Sequence, residues 1–95
     1  MRKYDVIATK RYKKDYRCLR RSSVDIGKLE YVIDQLACGE ILADRYRDHA
    51  LKGELKGTRA CHIGPDWLLR YKKESDQLLL LLLSTGDHRR VLWIE

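Results

Sequence analysis

A chain of 95 residues holds one domain with a single core, and 44% hydrophobic residues, including two Trp and six Tyr, exclude an intrinsically disordered polymer. The net charge of +6 makes a polyanion a natural partner and excludes an acidic, solvating surface. The excess lies at one end, because residues 1–24 hold nine Lys/Arg against two Asp and leave −1 for the rest.

Charge alone does not name that partner, since an acidic membrane surface or an acidic protein would also be attracted and a solvated face is the plainest reading. Cys18, Cys38 and Cys61 are odd in number and form no CxxC pair, which speaks against a disulfide framework or a zinc ribbon and for the cytosol. No apolar signal core opens the chain, and the run Leu78 to Leu83 is six residues where a membrane span needs about 20. The expectation is a cytoplasmic protein with no membrane partner.

Tyr4, Val6 and Ala8 alternate with Lys3, Asp5 and Ile7 as in a short strand that ends where Thr9 can cap a helix. Tyr12, Tyr16 and Leu19 then fall at helical spacing on one face. Lys10, Lys14, Arg17 and Arg21 form a cationic stripe elsewhere on the same helix. Ser22 to Asp25 break the pattern with capping side chains, after which Ile26, Leu29, Ile33 and Leu36 mark a second amphipathic helix. Gly27 weakens its first turn and Gly39 is its stop, so the two helices read as an antiparallel pair.

Residues 40–56 read as loop with one helical turn at Leu42 to Tyr46. From Gly57 the texture is β: Thr58 to Ile63, a Gly64-Pro65-Asp66 turn, Trp67 to Lys72, a polar turn, then Leu78 to Leu83. The all-Leu strand lacks alternation and reads as a central strand covered on both faces. The order β-α-α-β-β-β predicts a single α+β domain over 1–95, an antiparallel-rich sheet with the two helices on one face and the other face free for chemistry.

His49, His62 and His88 all lie in the second half, without the local spacing of a zinc motif. Cys61 beside His62 would point to the opposite side of a strand and reads as a small buried hydrophobe rather than a nucleophile. Arg70, between apolar neighbours on a strand, has no explanation at this level.

The stretch Asp48-His49-Ala50-Leu51-Lys52-Gly53, then Gly57-Thr58-Arg59, Cys61-His62-Ile63, Pro65-Asp66-Trp67-Leu68-Leu69, Tyr71-Lys72 and Thr85-Gly86-Asp87-His88 resembles the YafQ branch of the RelE/ParE toxin superfamily. The resemblance is sharp over residues 44–92 and rests before that on the order of strand and helices. It implies the RelE-like fold and a toxin that enters the ribosomal A site and cuts mRNA. It further implies a catalytic group of His49, His62, Asp66 and His88, with Trp67 and Leu92 shaping the site. The implied partners are the ribosome, mRNA and a cognate RelB/DinJ-like antitoxin through which alone operator DNA is met, with no cofactor and no metal.

Such chemistry suits these side chains, because RNA carries its own 2′-hydroxyl nucleophile and cleavage needs a base, an acid and a cation for the phosphorane. Within the group that the resemblance implies, the roles assigned are His49 with Asp66 on the base side, His88 as acid and His62 aligning the phosphate. For Asp66 ordinary turn chemistry competes with that role, and for Trp67 core packing competes with stacking on a base. The chain departs from the family pattern at Ser84, where YafQ-type toxins carry an arginine. Arg59, Arg89 and Arg90 are the candidate phosphate ligands in its place. A toxin homologue that binds RNA or antitoxin without cutting is the alternative that Ser84 favours.

Overall fold

A computed structural model of the chain describes residues 2–92. In chain order the elements are β1 (Asp5–Ala8), α1 (Lys10–Arg20), α2 (Ile26–Ala37), β2 (His49–Ala50), β3 (Arg59–Gly64), β4 (Trp67–Glu74), β5 (Leu79–Gly86) and α3 (His88–Leu92). Short 3₁₀ turns occupy Asp44–Tyr46 and Gly53–Leu55. The expected α+β architecture is present as a five-stranded sheet in the order β1-β5-β4-β3-β2, with β1 parallel to β5 and the other neighbours antiparallel. Two elements were not expected: the two-residue β2 and the short α3, which begin at His49 and His88. Among the described residues no helix is long and apolar enough to cross a membrane.

Local chemistry accounts for the helix boundaries. The Thr9 hydroxyl accepts the Tyr12 N–H at 3.2 Å and donates to the Leu82 carbonyl at 2.8 Å, so one side chain both caps α1 and ties it to β5. The Asp25 carboxylate accepts the Gly27 N–H at 3.0 Å, which offsets the weak helix propensity of that glycine. Gly39 takes φ +82° and ends α2 in a left-handed conformation open to glycine at no steric cost.

The core lies between the helices and one face of the sheet. Tyr12, Leu29, Val32, Ile33 and Leu36 pack against Cys61, Ile63, Leu69, Tyr71, Leu80 and Leu82. The leucine run therefore alternates after all: Leu80 and Leu82 face the helices, and Leu79, Leu81 and Leu83 are half-buried on the outer face. The strand is internal, as its composition predicts, but its outer face is only partly covered. Nor is that outer face entirely free, because Val91 of α3, with Leu92 and Leu51, packs there on Ala60 and Leu68.

The same outer face explains Arg70. It lies directly across from Ala60 on β3 and from Ser84 on β5, two small residues that leave room for a long side chain between them. A register shift next to Arg70 adds Leu83 to β5 and lets Tyr71 pair with Leu82 on the core side.

β1 pairs with β5 only from Leu79 to Leu82, so the next residues of β5 have no strand on that side. α1 covers them and supplies Asp15, which is 4% exposed. Its carboxylate accepts the Ser84 hydroxyl at 2.9 Å and the Thr85 N–H at 3.2 Å, and pairs with the Arg90 guanidinium of α3 at 3.3 Å. Arg11 approaches the same carboxylate at 4.0 Å and donates to the Arg90 carbonyl. Gly86, at φ +144°, lets the chain turn from β5 toward α3, and a Cβ there would lie 3.1 Å from the Arg90 side chain.

Replacing Asp15 with Ala strips the partner from a buried hydroxyl, a strand amide and a guanidinium together. The expected loss is about 3 kcal/mol, a large share of the stability of a small domain. Urea denaturation should show the midpoint falling by about 1 M or more, whereas Lys14→Ala on the exposed side of α1 should leave it unchanged.

Candidate functional site

The three histidines come together at one end of the sheet although they are distant in sequence. His49 pairs with Ala60, and Ala60 and His62 stand two apart on β3, so both imidazoles leave the sheet on its outer face. His88 opens α3 and reaches the same place from the far side. The His49 and His62 ring centroids are 6.3 Å apart, and those of His62 and His88 are 5.4 Å apart, which puts His62 in the centre.

Asp66, in the β3–β4 turn, accepts the backbone N–H of His88 at 3.1 Å and bonds its Nδ1 at 2.5 Å. The pairing of Asp66 with His49 expected from sequence is thereby corrected: the carboxylate serves His88. Since a carboxylate accepts, His88 Nδ1 carries the proton of that bond and Nε2 is left for substrate. The two bonds from His88 hold the Asp66 carboxyl below the usual carboxylate range, so it stays ionised wherever the histidines titrate.

His49 is oriented by backbone. Its Nδ1 lies 2.7 Å from the Arg47 carbonyl, which can only accept, so Nε2 holds the lone pair of the neutral ring. Arg47 itself is left-handed at φ 48°, an uncommon conformation for a non-glycine residue, and that conformation aims the carbonyl. Asp48 anchors the segment, accepting the Tyr71 hydroxyl at 2.6 Å and the Arg59 Nε at 3.2 Å.

Partial burial, then the like charges of His88, Arg47 and His49, hold His62 below the ordinary histidine range. His62 is thus neutral near pH 7.

The other residues singled out in the sequence take different places. Arg59 is on the helix-facing side of β3 and bound to Asp48, so it positions the His49 segment instead of facing the histidines. Trp67 is buried in the core with its indole N–H donating to the Thr85 hydroxyl at 3.0 Å, and core packing is its role. Leu92 is half-buried beside Ala60 and Leu68, where it helps seat α3 behind His88. Arg90 is committed to Asp15, while Arg89 is exposed next to His88 and makes no ion pair among the described residues. Lys10, Lys14, Arg17 and Arg21 are all exposed, the last as the C-cap of α1. The Cys61 thiol points into the core, where burial pushes it up to about 12, so it is no nucleophile.

Sequence reasoning missed the wall opposite the histidines. A cleft of about 940 Å³ opens from His62 and His88 and is bounded by Lys28 and Tyr31 of α2 and by Arg45, Tyr46 and Arg47. The only sequence signal was a cluster of Arg and Tyr in a stretch with no clear periodicity. Among the described residues no group of three or more His, Cys, Asp and Glu is arranged to hold a metal ion.

The family model for YafQ, a bacterial toxin of type II toxin-antitoxin systems, matches residues 4–92. The mRNA interferase toxin YafQ of Escherichia coli K12 is 35% identical over 85 residues, which is 88% of this chain and 90% of the relative. Among solved structures, the E. coli DinJ–YafQ toxin-antitoxin complex superposes with a TM-score of 0.82 at 34% identity, over 90% of this chain and 93% of the other. A copper-bound mutant toxin of Helicobacter pylori gives 0.83 at 38% identity, over 93% and 96%.

The electrostatics predict a depressed titration of His62. In imidazole NMR spectra His62 should protonate below the reference of about 6.5, and Arg47→Gln should move its midpoint upward by removing a like charge. The folded value lies below the unfolded one, so this group's share of stability is present above pH ~6.5 and lost as pH falls through the folded midpoint. A His62 midpoint at or above 6.5 that ignores Arg47→Gln would contradict the arrangement.

Proposed function

The chain belongs to the YafQ family of type II toxins, and we propose that it is an mRNA endonuclease that acts in the ribosomal A site by metal-independent acid–base catalysis. The observation that carries this reading is the Asp66–His88–His62–His49 array, in which two imidazoles present Nε2 and a carboxylate or carbonyl holds each Nδ1.

His49, its Nε2 lone pair free, takes the proton of the RNA 2′-hydroxyl as the 2′-oxygen attacks phosphorus. The P–O5′ bond breaks and His88, protonated and aligned by Asp66, delivers its Nε2 proton to the leaving oxygen. The products are a 2′,3′-cyclic phosphate and a 5′-hydroxyl. His62, between the two, donates a hydrogen bond to the phosphoryl oxygens as charge builds there. Arg89 is the guanidinium placed to supply charge where the family arginine is Ser84.

An arginine at position 84 would have to enter the fully buried space that Ser84 shares with Asp15 and Arg70. The chain has instead closed that position and bound Arg90 into the same cluster. A relative, YafQ of E. coli, is solved in a toxin-antitoxin complex with DinJ. By extension a cognate antitoxin neutralises this toxin, and operator DNA is met through the antitoxin. The exposed stripe Lys10, Lys14, Arg17 and Arg21 contacts rRNA phosphates, which give affinity and orientation without sequence information. A bacterial toxin of this kind acts in the cytoplasm.

Single-turnover cleavage on programmed ribosomes tests the assignment. His49→Ala and His88→Ala should each lower the rate by about 10²-fold or more, Asp66→Asn by less, with a bell-shaped pH profile for the wild type. A zinc chelator that spares the magnesium of the ribosome should leave the rate unchanged. Arg89→Ala should slow cleavage without altering stability, and Arg90→Ala should lower stability first. Full activity of His88→Ala, or loss on chelation, would overturn the mechanism. Replacement of all four stripe residues by Gln should weaken ribosome binding and flatten its salt dependence, and an unchanged slope would reduce the stripe to a solvated face.

A further inference from the structure

The cleft beside His62 and His88 is larger than the reaction itself demands, near the top of the range of about 300–1,000 Å³ that encloses small ligands. Its far wall is chemically uniform. Lys28, Arg45 and Arg47 supply three cations, and the acidic residue beside them, Asp25, is occupied as the N-cap of α2. Tyr31 is 53% exposed on a helix whose Leu29, Val32 and Ile33 are buried, so its ring is not used in packing. The Arg45 guanidinium lies over the Tyr46 ring, 4.9 Å from its centroid, and bonds the Tyr46 hydroxyl at 2.9 Å. One exposed aromatic ring and three cations, one of them lying over a second ring, thus continue directly from the histidine cluster.

Resting on the endonuclease reading, we propose that this cleft is the subsite for the single-stranded nucleotide next to the scissile phosphate, with Tyr31 as the stacking platform for its base and Lys28 and Arg47 as ligands of its phosphate. Single-stranded nucleic acid is bound by this combination, because every base offers a π-face to an aromatic ring while cations follow the backbone. An acidic peptide would satisfy the cations but would leave the exposed ring and its position beside the histidines without use. The cleft consequently sets which sites are cut, since bases differ in how well they stack and fit there. The histidines cannot do so, because they meet only the sugar and phosphate common to all nucleotides.

Tyr31 is the residue to alter, being exposed, outside the catalytic group and unneeded in the core. On programmed ribosomes, Tyr31→Ala should raise the half-saturating toxin concentration by about tenfold, the equivalent of one stacked base, or reorder the preferred cut sites. The plateau rate of the best site and the pH profile should stay as in the wild type, and Tyr31→Phe should restore both affinity and preference. Lys28→Gln should weaken binding equally at all sites.

Wild-type cleavage with Tyr31→Ala indistinguishable in concentration dependence and cut-site ranking would overturn the subsite while leaving the endonuclease intact. Failure of the wild type to cut any mRNA would instead overturn the endonuclease reading. The cleft is then tested by titrating a 2′-O-methyl trinucleotide into the wild type and following the Tyr31 and Tyr46 ring resonances. Shifts that saturate and vanish in Tyr31→Ala support the nucleotide site. Unmoved rings, or rings that move only with an acidic peptide, overturn it in favour of a protein-binding face.

Discussion

Everything near the histidine cluster depends on how the chain finishes the edge of β5. A parallel partner strand reaches only to Leu82, and the residues beyond it would expose backbone donors toward the helical layer. One buried carboxylate resolves this. Asp15 accepts the Thr85 amide and the Ser84 hydroxyl and, by the same charge, draws Arg90 across from α3. Burying a carboxylate is costly unless it is paired and hydrogen-bonded, and here three groups from two other elements meet that condition together. The result is that α3 has one seat, and His88, its first residue, has one approach to the other histidines.

A second constraint works from the opposite side of the site. His49 belongs to a strand of only two residues, too short to hold an imidazole by pairing alone. Its position comes from the residues before it: Asp48 is tied to Tyr71 and Arg59 in the sheet, and the left-handed Arg47 aims a carbonyl at the ring. His49 is therefore held by backbone and His88 by Asp66. His62, on the regular β3 between them, needs no such device because the pleat already directs it.

Ser84 has a structural place in the same cluster. Ser84 lies between Arg70 across the sheet and Asp15 across the helical layer, in space already filled. A serine there adds a hydrogen bond to the structural cluster and leaves cationic work to residues outside it. The cationic side chains around the cleft are Arg47, Arg45 and Lys28, and Arg89 is exposed beside His88.

The sequence by itself determined the elements whose cause is local: the Thr9 and Asp25 caps, the Gly39 stop, the amphipathic faces of α1 and α2, and the three long strands with their turns. The family pattern also named His49, His62, Asp66 and His88, which do converge. What it could not determine was pairing between side chains remote in the chain. Whether Asp66 served His49 or His88, whether Trp67 faced the core or a base, and which way Arg59 turned all depend on strand parity, register and a bulge, and a one-residue difference reverses each answer. The Arg47 to Tyr31 wall was hidden for the same reason, since it joins a turn without periodicity to the exposed side of a helix. Only the tertiary structure brings those surfaces to one cleft, because the contacts that set their distance are the packing of α2 on β3 and the anchoring of Asp48, neither of which leaves a repeating mark in the sequence.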